Sequence, residues 1–131
     1  YIRSNSKALD EFTNKIRAWN CGGDILDQTF AQEWLKYMKK PLLDGYGLSE
    51  AGPNVAISGP SCFRLGTVGK ALEGTEVKIS EDGELLIKNP SIATKYLGKN
   101  GQRIVDDSGW LRSGDKACLD EDGFIILYGR K

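Results

Sequence analysis

The chain has 131 residues, enough for one domain with its own core, and its 18 basic and 18 acidic side chains cancel. This balance produces no field that would attract nucleic acid or an anionic membrane, so neither is predicted as a partner. No apolar run approaches the length of a membrane span and no charged-then-apolar leader opens the sequence, so no transmembrane segment is predicted.

The sequence contains no His, and Cys21, Cys62 and Cys118 form no closely spaced pair. These facts exclude a zinc site of the usual kind and nucleophiles of the Ser–His or Cys–His type. Any chemistry therefore uses carboxylates, hydroxyls, backbone amides and a bound ion. The cysteines are predicted to be buried, reduced thiols of an intracellular, cytoplasmic protein.

The first third of the chain predicts a strand, a helix and a second strand. The polar stretch 1–14 indicates a loop with one helical turn. KIRAWNC (15–21) alternates as a strand does and is broken by Gly22-Gly23. A helix follows over 27–40, and PLLDGYG (41–47) is typical of a short buried strand. This order predicts part of a parallel α/β layer, with a site at the carboxyl ends of its strands.

The helix has clear start and stop signals. Asp27 is a suitable N-cap, and Pro41 cannot continue the helix. Phe30, Trp34 and Met38 recur at helical spacing and are predicted to pack against a sheet.

After about residue 54 the pattern becomes that of short antiparallel strands. TEVKIS (75–80) and GELLIKN (83–89) alternate with period two and predict one hairpin. DKACLD (115–120) and FIILYG (124–129) predict a second hairpin. Short strands around Gly-rich turns favour a small sheet or a distorted barrel.

The predicted fold class is therefore α/β, with mixed α+β character. Residues 1–58 form a partial α/β subdomain of the strand–helix–strand type. Residues 59–131 form a β-rich, barrel-like subdomain, which can share a core with the first.

GYGLSE (45–50) combines side chains that suit a nucleotide. Gly45 and Gly47 let the backbone approach a planar ligand on either side of Tyr46, whose ring can stack on a base. Ser49 can donate to a phosphate oxygen, and Glu50 can hold magnesium directly or through water. The alternative is an ordinary glycine turn after a strand.

Two other segments carry candidate residues. Gly22-Gly23-Asp24 ends the preceding strand, so in a parallel sheet it would form part of the same crevice. In WLRSGD (110–115), Asp115 follows a turn and has two oxygens for the vicinal hydroxyls of a ribose. Arg130 after the last strand can join Asp115 there. The alternatives are a turn-capping Asp and a surface Arg.

The order of the motifs resembles the adenylate-forming (ANL) superfamily, which includes acyl- and aryl-CoA ligases, peptide-synthetase adenylation domains and beetle luciferases. The resemblance extends from about Lys15 onward. The motifs are Gly22-Gly23, GYGLSE (45–50), TVGKALEG (67–74), GELLIKNPSIATKYLG (83–98), GWLRSGD (109–115) and DGFIILYGR (122–130).

The resemblance implies a role for each candidate residue. Tyr46 would stack on adenine, with Gly23 and Asp24 on the other side. Asp115 and Arg130 would bind ribose. Ser49 would contact phosphate and Glu50 would serve magnesium. Gly45 and Gly47 would border the acyl pocket.

The sequence departs from the family pattern at a few positions. Ser49 stands where Thr is usual, although the hydroxyl remains. Asn89 and Lys95 replace frequent glycines, and Asp24 stands where a small residue is common. These changes affect local backbone detail and the pocket beside adenine.

The resemblance also implies the cofactors and partners: ATP or AMP and Mg²⁺, with a carboxylic acid and CoA as further substrates. The family's phosphate loop and its C-terminal domain with a catalytic Lys have no counterpart here. The chain is thus predicted to be a fragment of the large N-terminal domain that ends just before the hinge and is inactive alone. GYGLSE favours the CoA-ligase and luciferase-like branch over a peptide-synthetase domain. A nucleotide-binding or interaction module without catalysis is the alternative.

Overall fold

The computed structural model describes residues 6–97 and 101–131. The polar N-terminal stretch forms helix α1 (Ser6–Lys15), which is longer than the single turn predicted; residues 1–5 of that stretch lie outside the described residues. The predicted strand, helix and strand follow as β1 (Trp19–Gly22), α2 (Gln28–Met38) and β2 (Leu42–Leu48).

Helix α2 begins directly after its predicted N-cap, Asp27, and ends at Met38, two residues before the predicted end. The Asp27 carboxylate accepts a hydrogen bond from the Phe30 backbone N–H at 2.7 Å, which satisfies one of the free amides of the first turn. At the other end, Lys39 takes a left-handed conformation with φ of 54°. Met38 is buried, but Phe30 is 50% exposed and contacts Trp34 on its own helix, so the prediction that it packs against a sheet is wrong.

The first sheet has the order β1-β2-β3-β4, with β1 parallel to β2 and the other pairs antiparallel. Strands β3 (Gly52–Ile57) and β4 (Lys70–Ala71) were not predicted. The segment carries Pro53, which cannot donate a ladder hydrogen bond. The strand accommodates it beside an irregularity of the β2–β3 register between Tyr46 and Leu48.

The second sheet is an antiparallel meander, and both predicted hairpins are confirmed. Val77 pairs with Ile87 and Ile79 with Leu85, which places the apolar side chains on one face. The strands are β5 (Glu76–Ile79), β6 (Glu84–Lys88), β7 (Leu111–Leu119) and β8 (Ile125–Arg130), in that order.

The two sheets share one apolar core. The backbone of Val68 and Gly69 hydrogen-bonds to Ile125, the first residue of β8, which joins the sheets at their edges. The predicted mixed α/β class with a partial parallel layer and a β-rich part is confirmed. A subdomain boundary at residue 58 stays a prediction; the hydrogen-bonded sheets divide between β4 and β5. The shared core includes Tyr46, Val55, Ala56, Val68, Leu85, Ile87, Leu111 and Ile125.

The predicted burial of the three cysteines is wrong. All are free, but Cys62 is exposed and Cys21 and Cys118 are half-buried. In the described part of the chain, no helix has the length and apolar character needed to cross a membrane.

Candidate functional site

The parallel pairing of β1 and β2 brings two of the predicted motifs together. Gly22 lies in register with Gly45, so the segment Gly23-Asp24 leaves β1 beside GYGLSE. The strands approach closely here, because a Cβ on Gly22 would lie 2.9 Å from the Gly45 carbonyl oxygen. The carboxyl end of a parallel strand pair therefore forms one wall of the site, as expected for an α/β layer.

A cavity of about 180 Å³ opens at this strand end. It lies between the first sheet and the open end of the β7–β8 hairpin, where Asp115 and Arg130 lie, so residues distant in sequence meet across it. Seven of the predicted site residues line it: Gly23, Asp24, Gly45, Tyr46, Gly47, Asp115 and Arg130. The remaining lining is Ile25, Leu48, Val68, Leu127 and Gly129.

Tyr46, Asp115 and Arg130 form a connected group in this cavity. The Tyr46 hydroxyl donates a hydrogen bond to Asp115 Oδ2 at 2.5 Å, and Arg130 Nε lies 3.3 Å from Asp115 Oδ1. Tyr46 is 8% exposed, and its burial together with the bond to Asp115 raises the pKa of its hydroxyl. Asp115 is buried whereas Arg130 is exposed, so the carboxylate is the fixed element of the group.

The backbone around Asp115 differs from the predicted turn before a strand. Asp115 lies inside β7, at a point where the β6–β7 pairing shifts register. Gly114 has φ of 77°, and the Ser113 hydroxyl accepts from the Asp115 N–H at 3.0 Å. Arg130 donates to the Ser113 carbonyl oxygen at 2.9 Å. This local departure from a regular strand directs Asp115 into the cavity.

Ser49 and Glu50 lie outside the lining of this cavity, in a single 3-10 turn (Ser49–Ala51) after β2. Ser49 is exposed. The Tyr96 hydroxyl donates to Glu50 Oε1 at 2.9 Å, and the Ala93 N–H donates to the Glu50 carbonyl oxygen at 2.9 Å. The segment around Tyr96 therefore holds the turn and orients the Glu50 carboxylate.

The carboxylate of Glu50 is suited to bind magnesium only together with other ligands of the ion. Residues 6–97 and 101–131 include no group of three or more His, Cys, Asp or Glu that could hold a metal ion. Magnesium is commonly bound by one or two carboxylates together with substrate phosphates and water. One half-buried carboxylate on a fixed turn fits that mode, in which the ion arrives with a phosphate ligand.

Gly22 lines a second cavity, of about 400 Å³, beside the same strand pair. Gly45 and Gly47 line both cavities, so the glycine-flanked strand end separates them. The second cavity is otherwise bordered by Asn20, Cys21, Gly23, Pro53, Asn54 and Ile57.

Sequence reasoning missed the apolar part of the site and the support of Glu50. Val68 and Leu127 line the first cavity, but the sequence pattern indicates only ordinary core residues of TVGKALEG and of the last strand. Tyr96 lies within the motif GELLIKNPSIATKYLG (83–98), and no local signal connects it with Glu50, which lies 46 residues away.

A half-buried thiol and a buried carboxylate, Cys21 and Asp44, form a pair beside the strand ends. Cys21 Sγ is 3.7 Å from Asp44 Oδ1, and the same carboxylate accepts from the Gly45 N–H at 2.9 Å. Burial and the negative charge of Asp44 raise the pKa of Cys21 to about 11. Burial also raises the pKa of Asp44, although its hydrogen bonds to Gly45 and Cys21 oppose this effect.

We expect Asp44→Asn to increase the alkylation rate of Cys21. Removing the charge lowers the pKa of the thiol and so raises its thiolate fraction, by about threefold at pH 9. The measurement is the pH–rate profile of iodoacetamide labelling at Cys21, followed by mass spectrometry. Asp24→Asn, an exposed change three residues after Cys21, is the control and should leave the profile unchanged. An unchanged profile for Asp44→Asn would contradict the coupling.

Comparison with known proteins agrees with the motifs. Residues 3–97 match the family described as AMP-binding enzyme. The chain is 40% identical over 92 residues to long-chain-fatty-acid–CoA ligase FadD15 of Mycobacterium bovis, covering 69% of this chain and 15% of that protein. It is 33% identical over 123 residues to the long-chain-fatty-acid–CoA ligase of Salmonella typhimurium, covering 84% and 22%.

A solved benzoate CoA ligase from Burkholderia xenovorans superposes with a TM-score of 0.75 at 27% identity, over 88% of this chain and 26% of that one. The chain thus spans about a quarter or less of the length of each of these proteins. The match over most of its residues shows that the chain belongs to the AMP-binding enzymes, within the adenylate-forming superfamily that its motifs predict.

Proposed function

We propose that the chain is part of an ATP-dependent acid–thiol ligase, which activates a carboxylic acid as acyl-AMP and transfers the acyl group to a thiol such as CoA. The observation that carries the proposal is the cavity in which Tyr46, Asp115 and Arg130 meet the ends of β1 and β2. The identity of its relatives as CoA ligases supports it.

The cavity suits the nucleoside part of AMP. The Asp115 carboxylate has lone pairs beyond those used by Tyr46 and Arg130, and two vicinal ribose hydroxyls can donate to them. Tyr46, Gly23 and Asp24 all line the cavity, and we assign a flat base to the space beside the Tyr46 ring. The second cavity, separated by Gly45 and Gly47, is suited to the acid because it begins where the nucleotide site ends.

The reaction needs positioning and charge neutralisation more than proton transfer. An oxygen of the substrate carboxylate attacks the α-phosphorus of ATP, and the bond to pyrophosphate breaks. A carboxylate is already ionised, which is consistent with a chain that has no His. Ser49 would donate to a phosphate oxygen, and Glu50 would hold magnesium, which would neutralise phosphate charge when bound. The thiol then attacks the acyl carbon and AMP leaves.

The test is acid-dependent exchange of pyrophosphate into ATP by the full-length protein that carries this segment. Long-chain fatty acids and benzoate form the first panel of acids. We expect exchange with one class of acid, and a decrease of about 100-fold in Glu50→Ala. Glu121→Ala, which removes an exposed loop carboxylate, is the matched control and should retain full exchange. AMP binding without exchange for any acid would favour a nucleotide-binding module that performs no catalysis.

A further inference from the structure

We propose that Glu84 is a positioning residue that fixes Asp115 and Arg130 in the geometry needed to bind a ribose. It holds the backbone of the residue before Asp115 and the side chain of the residue after Arg130. This inference deepens the proposed function and rests on it. Glu84 begins β6 and takes no part in the lining of the nucleotide cavity.

Glu84 is a buried carboxylate with its hydrogen bonds satisfied by the neighbouring strand β7 and by Lys131, the residue after β8. Its side chain is 4% exposed. Oε1 accepts from the Gly114 N–H at 2.9 Å, and Oε2 accepts from Arg112 Nη2 at 2.5 Å and from Lys131 Nζ at 3.1 Å. Burial raises the pKa of Glu84, but the Gly114 amide, Lys131 and Arg112 outweigh it and leave the pKa lowered. The group is therefore held as an anion.

The carboxylate replaces a missing part of the strand ladder. Glu84 pairs with Lys116, but Leu86 already pairs with Arg112, so β7 has two more residues in this interval than a regular ladder would place there. These residues include Gly114, whose N–H bonds to the carboxylate of Glu84. A bulge of this kind is retained only where something satisfies its backbone. Glu84 does so at the residue that immediately precedes Asp115.

The same carboxylate reaches the other half of the group through Lys131, the residue after Arg130. Lys131 Nζ bonds to Glu84, and the Lys131 N–H bonds to the Gly114 carbonyl oxygen at 2.9 Å. Glu84, Gly114 and Lys131 thus form a closed ring of contacts. Asp115 and Arg130 are the residues next to that ring on their two strands, and they pair with each other in the β7–β8 register.

A purely electrostatic surface role does not account for this arrangement. Arg112 and Lys131 are about half exposed, and ion pairs of exposed cations contribute little. The exposed carboxylate of Asp82 contacts both cations as well, and it has none of the contacts to Gly114 that Glu84 makes. Asp82 therefore provides a matched comparison, because its substitution removes its own ion pairs with these cations and keeps the contact between Glu84 and Gly114.

The experiment measures the Kd of AMP and of 2′,3′-dideoxy-AMP for the full-length protein and for Glu84→Gln. The amide keeps the size of the side chain but removes its charge and one acceptor. We expect the Kd of AMP to rise about tenfold and that of dideoxy-AMP to stay unchanged, so that discrimination between the ligands falls about tenfold. Asp82→Asn should change both values by less than about twofold.

Lys131→Met provides a second variant at an exposed position, should Glu84→Gln fold poorly. It should reduce the discrimination in the same direction and by a smaller factor. Unchanged discrimination in Glu84→Gln, or an equal loss for both ligands, would overturn the role of Glu84. If the unmodified protein does not distinguish AMP from dideoxy-AMP, the ribose site of the proposed function fails and the inference fails with it.

Discussion

Replacing Asp115 by Ala is expected to raise the Kd of AMP by about 100-fold. The variant removes the carboxylate that is proposed to accept from two ribose hydroxyls, and a hydrogen bond to a charged group contributes about 1.5–3 kcal/mol. Asp115 also joins Tyr46 to Arg130, so its loss removes the hydrogen bond of the Tyr46 hydroxyl and the ion pair of Arg130. Isothermal titration of the full-length protein with AMP measures the effect.

Two companion variants separate the ribose role from general damage. Tyr46→Phe keeps the ring that lines the cavity and removes the hydroxyl that bonds Asp115, so it should weaken AMP by less than about tenfold. Asp107→Ala removes an exposed carboxylate in the preceding loop and should leave the Kd unchanged. Equal affinity for AMP in Asp115→Ala and the unmodified protein would remove Asp115 from the ribose site.

The contrast between Asp115 and Glu50 gives the site two separable parts. Asp115 lies on β7 in the β-rich half of the chain, and its proposed ligand is the ribose of the nucleoside. Glu50 lies on the turn after β2 and is held by Tyr96, and its proposed ligand is the metal that accompanies the phosphates. Loss of Asp115 should therefore appear in the binding of AMP, whereas loss of Glu50 should appear mainly in the exchange of pyrophosphate.

Local signals in the sequence were enough to predict the helix and both hairpins. Asp27 and Pro41 bound α2, and the period-two alternation of 75–80 and 83–89 fixes which side chains face each other, because a hairpin pairs residues that are close in sequence. The strand β3 was missed because Gly52 and Pro53 are typical of a loop, and its pairing with β2 follows from a chain reversal that no local pattern encodes.

Prediction of the site from the sequence has the same limit, because local patterns do not encode contacts between distant residues. The parallel arrangement of β1 and β2 predicted that Gly23 and Tyr46 meet, since the carboxyl ends of parallel strands share one edge. The bond between Tyr46 and Asp115 joins residues 69 apart, and only the resemblance to the adenylate-forming superfamily assigned them to one ligand. The bulge that directs Asp115 depends on Glu84 in another strand, which the alternation of β6 alone does not reveal.

The glycines of GYGLSE illustrate how the same residue type serves two different physical requirements. A Cβ on Gly47 would lie 2.5 Å from Pro53 C and still closer to its carbonyl oxygen, so β2 and β3 approach too closely for any side chain. A Cβ on Gly45 would meet its nearest neighbours at 3.7 Å, which is ordinary van der Waals contact. Gly47 is therefore required by the fold, whereas Gly45 keeps space open between the two cavities.

We therefore expect Gly47→Ala to destabilise the protein by about 3 kcal/mol, because backbone atoms of β3 must move to admit the methyl group. Gly45→Ala, the matched control two residues earlier in the same strand, should cost less than about 1 kcal/mol. Thermal and denaturant unfolding of the full-length protein measure both. Because Gly45 borders both cavities, its variant should also raise the KM for the acid. Equal stability of the two variants would show that the β2–β3 contact can relax, and would remove the distinction between the two glycines.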